Sequence, residues 1–335
     1  MRTPIYRGFG EPSEVLELAE LPDPGPPAPG QVLIRVLVRP IHPGDLMGVR
    51  GPKGTPAGRL PRPATPGLEG MGVVVATGSP DQGPPPGTRV AFFPVPGAWA
   101  ELVLAPAEFV VEVPDGVSDA TAALMLVNPL TLAMLVRAVD EGLRDGPRTV
   151  LQTAAGSSIG ALVSAAAERH DLRLVNLVRS AAGADLLRAR FPDTPVVTTA
   201  DPDWPDQVRA ASAGDVAVVL DAVGGALTED LVALLADGGT LITYGRLGTG
   251  GIALEALPLL WRELTVRGVS VGRWSVLPAE QRAEDVAFAT RLARERPELL
   301  AVAATYDLTE LAKALDHVTR PGKEGTVLLT SPIAD

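Results

Sequence analysis

The apolar positions of this chain change rhythm part-way along. Between Thr149 and Tyr244, strand-like apolar runs (Thr149–Ala155, Arg173–Val178, Val196–Thr199, Val216–Val223, Gly239–Tyr244) alternate with segments that read as helices. Those helices are predicted over Ser158–His170, Ala181–Phe191, Trp204–Ala211 and Leu227–Ala236. Runs such as AVVLDAV have no polar face, as expected of strands covered on both sides. A β-α-β-α order of this kind specifies a doubly wound parallel sheet. Before Ala120 the texture is different. Gln31–Val38, Gly72–Thr77, Arg89–Phe93, Ala98–Leu104 and Phe109–Val113 are short strand-like stretches between turns, the mark of a β-rich, barrel-like unit. Pro22–Pro29 and Gly83–Gly87 read as surface loops. Ala120–Gly142 predicts a helix interrupted at Pro129. After Trp274, a long helix (Pro278–Glu295) and a strand (Gly325–Thr330) return the chain to its first unit. The expected class is α/β: residues 1–122 and 275–335 form the β-rich domain, and residues 123–274 the doubly wound one.

Composition narrows the possibilities. The 335 residues suit two domains, and 46% are hydrophobic, enough to bury large cores. No apolar run reaches the ~18 residues that cross a bilayer. Met1–Gly10 is mixed and polar, without an apolar stretch after a basic start. A net charge of −11 disfavours nucleic acid, whose phosphates call for a basic surface. It leaves room for an anionic cofactor, which needs only local donors. The expectation is a cytoplasmic protein acting on a small molecule, with no membrane or nucleic-acid partner. There are no cysteines, so disulfides and thiolate metal sites are impossible. The three histidines, His42, His170 and His317, lie far apart, whereas a catalytic zinc takes three protein ligands, so no metal site is expected.

The densest signal is Thr149-Val-Leu-Gln-Thr-Ala-Ala-Gly-Ser-Ser-Ile-Gly160. A buried strand ends in small residues and a helix begins at once. Gly156, Ser157, Ser158, Ile159 and Gly160 would let backbone amides approach a pyrophosphate at a positive helix terminus. Ser158 stands where a glycine is usual, and an ordinary strand–turn–helix satisfies the same pattern. The next strand ends at Arg179 and Ser180, with no acid to accept a ribose hydroxyl. A guanidinium can grip a 2′-phosphate with two parallel bonds, so the pattern favours NADPH over NADH. The bland alternative for Arg179 is a solvated surface side chain. Asp221–Gly225 and Thr243–Gly248, the latter holding Tyr244 and Gly245, are glycine-rich turns at the carboxyl ends of strands, the edge where such sheets bind ligands.

Together these segments resemble the zinc-independent medium-chain dehydrogenase/reductases over nearly the whole chain. Ile41-His-Pro-Gly-Asp-Leu46 is similar to their "I-N-P-x-D" segment, and Pro66-Gly-Leu-Glu-Gly-Met-Gly72 to "P-G-x-E-G-x-G". Gly97-Ala-Trp-Ala-Glu101 resembles "G-x-W", and Val127-Asn-Pro-Leu-Thr131 resembles "V-N-P-x-T". Asn176-Leu-Val-Arg179 and Gly238–Gly245 resemble "N-V-V-R" and "G-G-T-M-V-T-Y-G". Within the superfamily the chain looks most like 2-enoyl thioester reductases and NADPH:quinone oxidoreductases. The resemblance implies a Rossmann domain beside a GroES-like barrel catalytic domain, a deep cleft, and a homodimer formed through the Rossmann domain. It implies that Asn128 and Thr131 approach the nicotinamide, with His42, Asp45 and Trp99 nearby; Arg50 and Trp274 are further candidates on the substrate side. Zinc members carry "G-H-E" where this chain has Gly67-Leu68-Glu69.

Two departures bear on mechanism. Lys53 stands at or near the position of a family tyrosine that binds substrate or donates a proton, and His42 replaces the usual asparagine. The implied reaction is hydride transfer from NADPH to the β-carbon of an α,β-unsaturated carbonyl compound or enoyl thioester. Asn128, Lys53 or His42 would hydrogen-bond the developing enolate, and Lys53 or His42 would deliver a proton to the α-carbon. Asp45 equally suits a helix cap, and Trp99 simple packing. Arg50, Lys53, Arg59 and Arg62 could face a large anionic substrate. Quinone reduction uses the same cofactor site, and a non-catalytic NADPH-binding protein is the alternative of another class.

Overall fold

The computed structural model describes residues 1–52, 59–79, 81–143, 148–320 and 322–331. The chain divides into two units, Met1–Pro129 with Leu277–Asp335, and Leu130–Val276.

The first unit begins with β1 (Arg2–Gly8), α1 (Pro12–Val15), β2 (Glu17–Glu20), β3 (Gln31–Pro40), α2 (Pro43–Arg50) and β4 (Arg59–Ala64). It continues with β5 (Gly70–Thr77), β6 (Arg89–Phe92), β7 (Leu102–Pro106), β8 (Val110–Glu112) and α3 (Asp119–Ala122). β3 is the hub, pairing antiparallel with both β5 and β7. Its alternate residues Val32, Ile34 and Val36 are buried in a core with Val74, Val90 and Phe92. The expected strand Ala98–Leu104 is corrected: pairing begins only at Leu102, because the backbone turns at Gly97 (φ +84°) to seat Trp99 in the core. β1, β2 and α2 carry prolines or little periodicity, and the apolar pattern does not announce them.

The second unit is the parallel sheet. After α4 (Val127–Gly142) come β9 (Thr149–Gln152), α5 (Ser158–Ala167), β10 (Arg173–Val178), α6 (Ala181–Arg190) and β11 (Val196–Thr198). Then follow α7 (Trp204–Ser212), β12 (Val216–Asp221), α8 (Leu227–Ala233), β13 (Leu235–Thr243), α9 (Ala256–Trp261) and β14 (Thr265–Gly268). The strand order is β11-β10-β9-β12-β13-β14, every pair parallel. The direction of winding therefore reverses between β9 and β12, which opens a crevice at their carboxyl ends. The helix expected over Ala120–Gly142 is two helices. The break falls at Ala123–Leu126 rather than at Pro129, which sits in the first turn of α4, where its missing N–H removes no helical bond.

The chain then returns to the first unit as α10 (Ala279–Glu295), β15 (Val302–Asp307), α11 (Leu311–Val318) and β16 (Thr326–Thr330). β16 pairs antiparallel with β3 and parallel with β15. α11 buries Leu311, Ala314 and Leu315, a stripe at i, i+3 and i+4, against Leu46, Trp99 and Val327.

One buried network locks the crevice strands together. The Asp221 carboxylate accepts bonds from Thr153 Oγ1 (2.9 Å), Val223 N (2.9 Å), Gly224 N (3.1 Å) and Thr228 Oγ1 (3.2 Å). Thr153 Oγ1 in turn accepts from Ala222 N (2.9 Å). The ends of β9 and β12 are thus tied through one carboxylate. Asp221→Asn would aim an amide N–H₂ at donors, so we expect it to cost about 1.5–3 kcal/mol of unfolding free energy, read from urea denaturation. An unchanged midpoint would contradict this role.

Candidate functional site

Two groups of candidate residues emerge, one in each unit. In the first, His42 is the N-cap residue of α2, and Asp45 Oδ2 accepts from His42 N (2.9 Å). The local sequence explains the geometry: Pro43 fixes the first turn, and an acid three residues after the cap folds back on it. His42 Nε2 lies 2.6 Å from Glu69 Oε2. The Glu69 side chain is 0% exposed and that of His42 12%. The second oxygen of Glu69 accepts from Leu126 N (2.9 Å) and Val127 N (2.7 Å), the amides that open α4. Asn128, buried, is the next residue of that helix, and Thr131 lies almost one turn further on. Burial disfavours a charged His42 ring, but its bond to Glu69 and the charges of Glu69 and Asp45 outweigh it, so its pKa lies above the ordinary value.

The sequence motif named Glu69 without giving it a role. The available signal was a lone acid inside an apolar stretch, Gly67–Val75, that leads into a buried strand.

In the second unit, β9 ends at Gln152 and Ala154 adopts φ +50° to turn the chain into α5. Ser157 caps that helix, its hydroxyl accepting from Gly160 N (3.1 Å). A Cβ on Gly160 would lie 2.4 Å from Ala155 O, so only glycine lets the helix start this close to the strand end. A Cβ on Gly156 would meet nothing within 4 Å, so the turn is open there. Ser158 and Ile159 complete the first turn, both half-buried. Arg179 follows β10; it is exposed, and among the described residues nothing hydrogen-bonds or ion-pairs with its guanidinium. Ser180 caps α6, accepting from Gly183 N (3.2 Å). Tyr244 N bonds Asp221 O (2.9 Å), and Gly245 lies against Ala222, where a Cβ would be 3.1 Å from Ala222 O. The Tyr244 hydroxyl is buried without a partner among the described residues; burial, then the nearby Asp221 charge, push its ionisation upward.

The expected substrate residues fall in different surroundings, two of them in the core. Trp99 is 0% exposed and gives its Nε1–H to Pro40 O (3.1 Å), so it is a core residue. Trp274 is 2% exposed. Arg50 ends α2 and pairs with Glu11 at 3.1 Å. Asp45 does cap α2. Lys53 lies outside the described residues.

Comparison with known proteins adds the family. Residues 28–115 match the model of the alcohol dehydrogenase GroES-like domain, and residues 158–288 that of zinc-binding dehydrogenase. A mitochondrial enoyl-(acyl-carrier-protein) reductase of Xenopus tropicalis is 30% identical over 84% of this chain and 80% of its own. The chain belongs to the medium-chain dehydrogenase/reductase superfamily. It is thus an oxidoreductase with a GroES-like N-terminal domain and a Rossmann-like parallel sheet. A solved structure described as an NADPH:quinone reductase of Bacillus thuringiensis is 29% identical, covers 99% of both chains and has a TM-score of 0.85. Escherichia coli quinone oxidoreductase in complex with NADPH covers 99% of this chain and 100% of its own, with a TM-score of 0.84; at 21% identity it shows the shared fold. No helix among the described residues of this superfamily member is long and apolar enough to cross a membrane.

The Asp45 carboxyl is pushed up to about 6, mainly by burial and further by the Glu69 charge; the charge and backbone N–H of His42 offset only part of this. Ionising it therefore costs the folded state. Its stabilising contribution is complete below about pH 4 and lost as pH rises through about 6. An asparagine has no such cost. The unfolding free energy of Asp45→Asn minus that of the wild type should climb by ~1–3 kcal/mol across that interval, measured by urea denaturation at a series of pH values. A flat difference would contradict the assignment.

Proposed function

We propose that the chain is an NADPH-dependent reductase that moves hydride to the β-carbon of an α,β-unsaturated carbonyl compound or enoyl thioester, without zinc. The observation that carries the cofactor choice is Arg179, at the tip of β10, whose guanidinium has no partner among the described residues. The NADPH in the Escherichia coli neighbour and the enoyl reductase name of the 30%-identical relative support the reading.

The residues fit such a cofactor. The open turn at Gly156 and the amides of Ser157–Gly160 would hold its diphosphate at the positive end of α5. Arg179 would take the 2′-phosphate in a charge-assisted, two-pronged contact. Ser180 already caps α6, so its share is smaller. The turns at Tyr244 and Gly245 would border the ribose and nicotinamide, and Asn128 and Thr131 the reacting face. When bound, NADPH supplies the hydride. Asn128, in the first turn of α4, donates a side-chain N–H to the developing enolate oxygen, aided by the positive helix end. His42 holds a proton for the α-carbon.

Zinc does not suit these residues. Leu68 stands at the ligand position of the zinc pattern and is 40% exposed, the chain has no cysteine, and both Glu69 oxygens are engaged. Among the described residues no group of three His, Cys, Asp or Glu side chains could hold a metal.

Quinone reduction is the second reading, favoured by the name of the Bacillus thuringiensis neighbour. It needs the same cofactor contacts and differs in the acceptor. NADPH oxidation assayed with enoyl thioesters, enones and quinones separates the two; binding without turnover on any of them would favour a non-catalytic NADPH-binding protein. For the cofactor, calorimetry should find NADPH bound well above NADH. Arg179→Ala should weaken NADPH by about 10–100-fold while leaving NADH nearly unchanged. Equal wild-type affinities would overturn the choice.

The partner is proposed to be a second copy, paired along β14. That strand ends the six-stranded sheet, and its outer edge pairs with no other strand among the described residues. The adjoining α9 exposes Leu257, Leu260 and Trp261, the last at 75%. An apolar groove of about 460 Å³ lies beside them, lined by Val232, Leu254, Leu257, Pro258 and Trp261. Two such edges can pair about a two-fold axis. The wild type should sediment as a dimer and Trp261→Arg should dissociate it; a monomeric wild type would contradict the pairing.

A further inference from the structure

The fold holds one charged group that the proposed reaction has not yet used. Glu69 is fully buried, yet both of its oxygens have partners in different elements. One touches the ring of His42, the residue that opens α2. The other closes the first two amides of α4, the helix that carries Asn128. We propose that Glu69 is a positioning residue that fixes the N-terminus of α4 with one oxygen and, with the other, holds His42 charged and oriented as a proton donor. This rests on the reductase reading above.

The chemistry follows from the distances. A carboxylate at 2.6 Å from Nε2 favours the doubly protonated ring. Glu69, from the segment before β5, and Asp45, from α2 itself, are the charged groups that act on His42. With Nε2 committed to Glu69, the transferable proton of the charged ring is the one on Nδ1; in that state the Asp45 amide, which the His42 side chain otherwise caps, is served by His42 O at 3.0 Å. In the transfer, the Nδ1–H bond breaks, its electron pair stays on the ring, and the proton forms the new C–H bond at the α-carbon. The neutral ring then recovers a proton from solvent. Glu69 gives up no proton in this step and keeps its contacts with the opening amides of α4. The chain has His where the resembling segment has Asn, so the pairing is a property of this sequence rather than of the shared pattern.

The test begins with nuclear magnetic resonance of the ring signals. There are only three histidines, so His42 is assigned by its loss in His42→Asn. In the wild type His42 should titrate above the ordinary histidine value. Glu69→Gln keeps an acceptor for Leu126 N and Val127 N but turns an N–H₂ toward His42. In that variant the His42 pKa should fall by about one unit or more, and Glu69→Asp should restore part of it. An unmoved His42 in Glu69→Gln overturns the proposal. Circular dichroism confirms that each variant is folded; should Glu69→Gln unfold, Glu69→Asp alone decides, its longer reach to Nε2 being expected to lower the His42 pKa by a smaller step.

Turnover supplies the second readout. With an accepted substrate, wild-type kcat should fall as pH rises through the His42 pKa, and in Glu69→Gln that fall should move to lower pH while KM for NADPH stays put. His42→Asn should lose about 10²–10⁴-fold in kcat together with the pH limb. A ring pKa that shifts while the kcat profile does not would overturn the catalytic half of the proposal and leave the reductase standing. If no substrate is turned over, the reductase reading fails, and the ring titration still decides the Glu69–His42 pairing.

Discussion

A carboxylate with no access to water must find its partners inside the protein, and much of the first unit's local geometry follows from where Glu69 finds them. An uncompensated buried charge is strongly destabilising. Glu69 meets that constraint with a histidine ring on one side and the two opening amides of α4 on the other. The break between α3 and α4 gains a physical reason from this. α3 ends at Ala122, and at the start of α4 the amides of Leu126 and Val127 bond a side chain from a distant segment. One acid therefore sets the start of α4, and with it the positions of Asn128 and Thr131.

The second unit is organised by an analogous constraint at the end of β12. Asp221 is also buried, and its neighbours are amides and hydroxyls from the residue after β9, the turn after β12 and α8. The reversal of winding leaves the carboxyl ends of β9 and β12 as the natural ligand edge. The tie through Thr153 keeps that edge from fraying. Small residues at Gly156, Gly160 and Gly245 then bring backbone close to where a nucleotide would lie, and Arg179 stands at the next strand tip with its guanidinium unengaged among the described residues. Rigid strand ends and an uncommitted cation suit a site whose ligand brings its own negative charge.

What could be read from the sequence divides along physical lines. The parallel sheet was legible because strands buried on both faces leave unbroken apolar runs, as in Val216–Val223, and helices between them supply the contrast. The tight turn between β9 and α5 was legible because few residues permit so close an approach of helix and strand. Elements held by tertiary pairing were not. β1 is shaped by its neighbours β2 and β4, and β15 by β16, rather than by its own alternation. Trp99 looked like a site residue by its motif, but its size and the space beside Gly67 place it in the core. Glu69 was visible as part of a motif, while its role depended on a histidine 27 residues away in sequence and on a helix start 57 residues beyond it.

The central claim is that this site passes hydride to carbon and then a proton to its neighbour. It is tested most directly by reduction of an enoyl thioester or enone with NADPH carrying deuterium at the transferable position of its nicotinamide. The account predicts one deuterium at the β-carbon of the product and a solvent-derived hydrogen at the α-carbon. Deuterium absent from the β-carbon, with NADPH bound but unspent, would contradict it.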